Sequence, residues 1–275
     1  MTTRKLSDYT SFKKLVDKAQ NIVVLTGAGV SAESGIPVFR GAGGLWRKYR
    51  ATSLASPEAF RANPGLVWEF YHYRRDVAFA AKPNNAHIAL AKFEEDCKKL
   101  NKKFHLITQN VDGLHQRAGS KNVIELHGAL NKIRCTECKV IEENVDIPIC
   151  EALKDRGNPL ASEKDLPPIN IEDLPKCTQC GQLVRPHIVW FGESLDPNIL
   201  QMAKNLIESC DFCLVIGTSS VVYPAAQFAP LVAERGYPVV EFNLNDEPAQ
   251  DNFHLHFSGP CGTTLPKALG YDKLQ

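Results

Sequence analysis

No stretch of the 275 residues approaches the roughly 18 consecutive apolar residues that a membrane-spanning helix needs. Neither sign of charge dominates, since 32 Lys and Arg stand against 31 Asp and Glu. A net charge of +1 gives no global field to recruit nucleic acid or an anionic membrane, and no basic stripe with interleaved aromatics is present. Nine cysteines at uneven spacing do not make a disulfide framework; they point to a reducing compartment and metal ligands. Residues 1–6 read as neither a signal peptide nor a full organelle presequence, although a presequence removed from a longer precursor stays compatible with them. What is present is 44% hydrophobic, enough for a substantial core in a chain between one and two average domains long.

The organising stretch is VVLTGAGVSAESGIPVF, residues 23–39. Ile22 to Leu25 is an apolar run of the length of one buried parallel strand. Gly27, Gly29 and Ala32 then fit G-x-G-x-x-[GA], the dinucleotide fingerprint, placed after a strand as that reading requires. The glycines would let backbone N–H groups approach a pyrophosphate. A purely steric strand-to-helix turn has the same spacing. The acidic residue expected roughly 20 positions on, to hold a ribose, is missing. Residues 41–49 there read GAGGLWRKY, a loop, so other groups must hold the ribose. The polar segment after the glycines reads as a loop folding over a ligand.

Elsewhere, residues 7–20 predict an amphipathic helix capped by Ser7 or Thr10, and 53–80 predict helices starting at Ser56-Pro57 and Asn63-Pro64. A further amphipathic helix is expected over 84–100. Strand-like runs at 104–108, 123–126, 212–216 and 238–242 each end in small or polar residues, which in an open α/β sheet would converge on one crevice. Turn chemistry alone explains Gly, Asn and Ser there, but not Gln109, Asp112 and His127 as well. Tyr71 and Arg74, three apart on one helix face, read either as a half-buried Tyr beside a solvated Arg or as a phenol and guanidinium aimed at a carboxylate.

Cys135, Cys138, Cys177 and Cys180 form two C-x-x-C knuckles, and four thiolates make a closed, structural zinc site. Residues 146–176, rich in Pro and charge, would loop out between them; Cys150 is a weaker ligand candidate. Cys210 and Cys213 repeat the spacing but run into an apolar strand, where i and i+3 face opposite sides, and are expected in the core.

With GAGVSAESGIPVFR (27–40), QNVDGLH (109–115), LHG (126–128), the two knuckles and GTSS (217–220) in this order, the chain resembles a sirtuin over roughly residues 15–270. Val111 stands where many members carry Ile. The resemblance implies an α/β fold, a Rossmann-like parallel sheet with a smaller zinc-binding and helical module. The expected NAD-binding domain is 1–48, 99–131 and 184–275, with a helical module at 49–98 and a zinc module at 132–183. It also implies an NAD-dependent protein-lysine deacylase. Tyr71 and Arg74, with Ala51, further resemble the class III branch, which removes succinyl, malonyl and glutaryl groups and is a weak deacetylase. Its location is the mitochondrial matrix, with cytosol and nucleus as further compartments.

The implied site follows the motifs. The acyl-lysine carbonyl would attack the nicotinamide ribose and release nicotinamide, giving 2′-O-acyl-ADP-ribose. His127 would be the general base, and Asn110 and Gln109 would orient the ribose and a water. Asp112 would accept from nicotinamide. Gly27, Ala28, Gly29, Ser31, Ala32, Glu33, Pro37, Phe39, Arg40, Trp46 and Val111 would surround the cofactor. Gly217, Thr218, Ser219, Asn243, Leu244, Asn245 and Cys261 would take its adenosine side. Val189, Trp190, Phe191, Gly192, Glu193, Val222 and Tyr223 would flank the substrate peptide. Zinc and NAD are the expected cofactors, and acyl-lysine proteins, not nucleic acid or membrane, the expected partners. Two other readings are an ADP-ribosyltransferase using the same crevice and a zinc-ribbon module that binds nucleic acid.

Overall fold

The computed structural model describes residues 5–38, 44–162 and 166–272. Seven strands form one sheet: β1 (Lys5–Leu6), β2 (Asn21–Thr26), β5 (Lys103–Thr108), β6 (Val123–Glu125), β10 (Phe212–Ile216), β11 (Val239–Asn243) and β12 (Leu255–Ser258). Their order is β1-β12-β11-β10-β2-β5-β6, and every neighbouring pair is parallel. β2 (NIVVLT) and β10 (FCLVI) are almost wholly buried, as strands covered on both faces must be. From β2 the chain runs outward to β5 and β6 on one side and returns to β10, β11 and β12 on the other. The order therefore reverses between β2 and β10, which is where such sheets hold ligands.

Helices cover both faces. α1 (Tyr9–Lys18) puts Phe12 against Phe212, Phe242 and Phe257. Its cap is Asp8, which accepts from Ser11 N–H at 2.9 Å; neither Ser7 nor Thr10 plays that part. α6 (Leu114–Ala118), α7 (Pro197–Ser209), α8 (Phe228–Glu234) and α9 (Cys261–Leu269) follow their strands. α5 (Asn85–Lys99) buries Ala86, Leu90, Phe93 and Cys97 in the same core as α1 and α9, so it packs with the large sheet and not with the helical module in which the sequence grouped it.

The second core lies under α2 (Ala51–Leu54), α3 (Pro57–Ala62) and α4 (Pro64–Ala80). Ser56 and Asn63 cap α3 and α4 through Ala59 and Leu66 N–H, with Pro57 and Pro64 in the first turns. These helices pack on an antiparallel sheet of β7 (Gly128–Cys135), β8 (Ile141–Glu143) and β9 (Val184–Ile188), and on the ribbon of β3 (Leu45–Trp46) and β4 (Tyr49–Arg50). β7 runs across the expected boundary at 131, and β9, which begins at the boundary at 184, pairs with β7 in the small sheet. Cys210 ends α7 and Cys213 lies inside β10. Both are buried in one cluster, not on opposite faces, because Cys210 precedes the strand.

Candidate active site

The turn after β2 and the turn after β10 meet at the point where the sheet reverses. Gly27 N–H donates to Ile216 O at 3.1 Å and Gly29 N–H to Gly217 O at 2.7 Å. A Cβ on Gly29 would lie 2.7 Å from Gly217 O, and one on Gly217 (φ +60) would lie 2.3 Å from Val30 N. The glycines are thus required by contact between two turns, whatever they also hold. Residues 28–34, with Ala28 and Ala32, form a 3-10 helix ended by Gly35.

Behind this turn lies a buried polar network. Thr26 and Thr108, opposite each other at the ends of β2 and β5, are joined at 2.8 Å, and Thr26 Oγ1 meets His115 Nε2 at 3.0 Å. Thr108 Oγ1 accepts from Asn110 N–H. Asn110 Nδ2 donates to Gly27 O at 3.0 Å and to Ser31 Oγ at 3.2 Å. Ser31 Oγ donates to Asp112 at 2.8 Å, and the other oxygen of Asp112 accepts from Leu114 N–H. Burial raises the Asp112 carboxyl above the ordinary range; these two donors and the charges of Arg117 and Arg74 oppose it. His87 Nδ1 accepts from Asn84 N–H, so Nε2 carries the proton toward Ser31 Oγ, 3.3 Å away. Burial pushes His87 down to about 4 and His115 far below its usual value. Thr26, Thr108, His87 and His115 were not singled out from sequence; paired Thr at two strand ends was the available signal.

His127 stands between β6 and β7. Its Nδ1 donates to Gln109 O at 3.0 Å, which leaves Nε2 as the lone-pair nitrogen, without a protein partner among the described residues. Burial lowers its pKa below 6.5, more than the bond to Gln109 raises it. The ring is therefore neutral at neutral pH and competent as a base. Gln109 Nε2 donates to Thr218 Oγ1 at 3.1 Å, and Asn243 Nδ2 to Thr218 O at 2.9 Å, so the ends of β5, β10 and β11 are linked. Ser219 and Leu244 are exposed beside them, and Asn245 O accepts from His256. Cys261 is buried with its thiol pushed up to about 12 by burial, so only its backbone is available to a ligand. The Glu33 carboxylate is taken by Gly262 N–H at 2.6 Å, at the start of α9.

A cavity of about 220 Å³ is lined by Pro37, Leu45, Trp46, Ala51, Phe70, Tyr73 and Arg74. Arg74 Nη1 donates to Pro37 O at 2.9 Å. Tyr71 is wholly buried, and its hydroxyl accepts from Trp190 Nε1 at 2.8 Å; burial drives its acidity down. Phe39 and Arg40 lie outside the described residues.

The peptide-side residues divide. Val189 N–H donates to His127 O and Val222 is half-buried; Val111, expected on the cofactor side, accepts at its O from Leu130 N–H. Phe191 and Tyr223 are exposed, and Gly192 follows Phe191 in a turn. The side chains of Trp190 and Glu193 are engaged within the protein. Trp190 is buried under the Arg185 guanidinium, and Glu193 is held by Arg185 and Trp190 N–H.

The Sγ atoms of Cys135, Cys138, Cys177 and Cys180 all lie within 4.8 Å of one another, with contacts of 3.4 and 3.6 Å. A tetrahedral zinc with bonds of about 2.3 Å needs thiolates about 3.8 Å apart, so the set fits one closed, structural ion. Glu137 N–H points at Cys135 Sγ, a donor suited to a thiolate. Cys150 stands apart from the cluster.

A reversal-point crevice with paired glycine turns, a neutral histidine and a four-cysteine module is the arrangement of an NAD-using enzyme, and the chain belongs to the Sir2 family, whose profile matches residues 27–224. Among its relatives is a protein of Daphnia pulex named NAD-dependent protein deacylase, 59% identical over 96% of each chain. The dog protein named mitochondrial NAD-dependent protein deacylase sirtuin-5 is 54% identical over 97% of this chain and 86% of its own. A Sir2 homologue solved as an NAD complex superposes with a TM-score of 0.83 at 39% identity, over 98% of this chain and 96% of the other.

Proposed function

We propose that this NAD-dependent protein deacylase removes acidic acyl groups (succinyl, malonyl and glutaryl) from lysine side chains of proteins, yielding nicotinamide and 2′-O-acyl-ADP-ribose. The observation that carries the acyl preference is the Arg74 guanidinium, buried on the wall of a cavity that Pro37 and Trp46 also line. A terminal carboxylate can accept from that guanidinium in a forked pair, which a neutral acetyl group cannot do.

The donor set fits NAD: amide groups of Gln109, Asn110 and Asn243, hydroxyls of Ser31 and Thr218, the Asp112 carboxylate and one neutral imidazole edge a single crevice. Bound there, NAD supplies a ribose carbon that becomes electrophilic as nicotinamide departs. The residues of the chain do the rest. Asn110 is fixed by Gly27 O and Ser31, so its carbonyl is free to face the ribose. Asp112, held by Ser31 and Leu114, presents an acceptor edge to a carboxamide. His127 takes a proton at Nε2 from a ribose hydroxyl, and Gln109 O steadies the imidazolium that results. The mitochondrial name of the dog relative supports a mitochondrial location.

The test is mass spectrometry of matched acetyl- and succinyl-lysine peptides with and without NAD. NAD-dependent loss of succinyl much faster than acetyl is the expected result. Faster loss of acetyl would remove the acidic-acyl reading, and label from NAD retained on protein would favour ADP-ribosyl transfer.

A further inference from the structure

The segment between the two cysteine knuckles reaches back to α4 and holds one wall of the cavity. Trp46, 1% exposed, donates from its indole N–H to Gly157 O at 2.9 Å. The Arg47 guanidinium lies 4.1 Å over its ring, and Phe70 meets it edge-on at 5.7 Å. Arg47 donates to Asn158 O at 3.2 Å and pairs with one oxygen of Glu69 at 2.6 Å. Arg156 takes the other oxygen of the same carboxylate at 2.5 and 3.0 Å. Gly157 has φ +91, and a Cβ there would lie 3.0 Å from Glu69 O and 3.1 Å from Tyr73 N. The segment thus rests directly on the backbone of α4, in the turn before Arg74.

We propose that Glu69, clamped between Arg47 and Arg156, is a positioning cluster that fixes Trp46 and so sets the width of the acyl cavity, which makes residues 156–158 of the cysteine module determinants of acyl-chain choice. This rests on the reading of the cavity as the acyl site. The clamp is buried, with side chains of Glu69 and Arg47 only 6% and 4% exposed, so water does not compete for its bonds. Trp46 is restrained at its N–H, its face and its edge, and has no freedom to yield to a longer acyl chain. Loss of Arg156 leaves Glu69 paired with Arg47, so no buried charge is stranded and the fold survives. What is lost is the tether that brings Gly157 O to the indole.

The test is Arg156→Met on lysine peptides carrying acetyl, succinyl and adipoyl groups. The KM for succinyl rises about tenfold with kcat within about twofold, because a misplaced wall costs binding and leaves His127 in place. Acetyl turnover stays within about twofold, and the adipoyl-to-succinyl ratio of kcat/KM rises about tenfold. Arg156→Lys restores most of the succinyl KM. Gly157→Ala, which pushes the segment off α4 without changing charge, shifts the ratio in the same direction. Equal losses on all three peptides, or no change in the ratio for either variant, would overturn the proposal. Arg74→Met is the control: if it leaves the succinyl preference intact, the acyl-site reading itself fails, whatever Arg156→Met does.

Discussion

Replacing Arg74 by Met isolates the charge on which acyl selectivity depends. Burial holds the guanidinium below its ordinary pKa, against the opposing pull of Tyr71, Tyr73 and Asp112. Folding has already stripped most of its water, so an incoming carboxylate meets a charge that is poorly solvated and strongly attractive. A hydrogen bond to a charged group contributes about 1.5–3 kcal/mol, which is about 10- to 150-fold in rate constant or affinity. Met has a similar unbranched stem and no donor, so the cavity keeps much of its packing. The expected loss in kcat/KM on a succinyl-lysine peptide is therefore about 10- to 150-fold. On the matched acetyl peptide it stays within about threefold, since acetyl carries no carboxylate. The substitution also removes the donor to Pro37 O, a loss common to both peptides, so the ratio of the two is the readout. Arg74→Lys, which keeps the charge and loses the fork, should fall between. A parallel fall on both peptides, or a preference that survives Met, would refute the reasoning and make Arg74 a structural brace.

Four further outcomes concern His127, the cysteines and Gly29. Burial lowers the pKa of His127, and the protonated ring cannot act as base; kcat/KM should therefore stay flat from pH 8 down to about 6.5 and fall only below it, whereas a midpoint at or above about 7 would contradict this. His127→Tyr should abolish turnover with the melting curve retained. Cys177→Ser should release the zinc, about one equivalent by metal analysis, and lower thermal stability, while Cys150→Ser should keep it; zinc loss from both would place Cys150 in the ligand set. Gly29→Ala would force a Cβ to within 2.7 Å of Gly217 O, costing about 1–3 kcal/mol and several degrees in Tm, together with a weaker NAD affinity; an unchanged Tm would mean the two turns yield freely.

The strands and motifs that lie along uninterrupted sequence were legible. The apolar runs at 104–108 and 212–216 coincide with β5 and β10, and Pro57 and Pro64 do open helices. β9, which contains Pro186, and β12, only four residues long, carry too little local signal. α5 was misgrouped because its sequence shows only an apolar face, not which core receives it. The resemblance placed Trp190 and Glu193 beside the peptide, but it could not show that the Arg185 guanidinium of β9 would stack on the indole and bind the Glu193 carboxylate.

The sequence alone determined the family and brought out the four clustered cysteines, because both rest on residue type at fixed local spacing. A thiolate pair two residues apart or a glycine turn after a strand carries its chemistry wherever it is placed. Only the tertiary structure decided what each residue spends its bonds on. It assigned the glycines to a contact between β2 and β10, Glu33 to the cap of α9, and the tautomer of His127 to Gln109 O. It also brought Arg156 and Arg47, 109 residues apart, onto one carboxylate, a contact that no local pattern encodes.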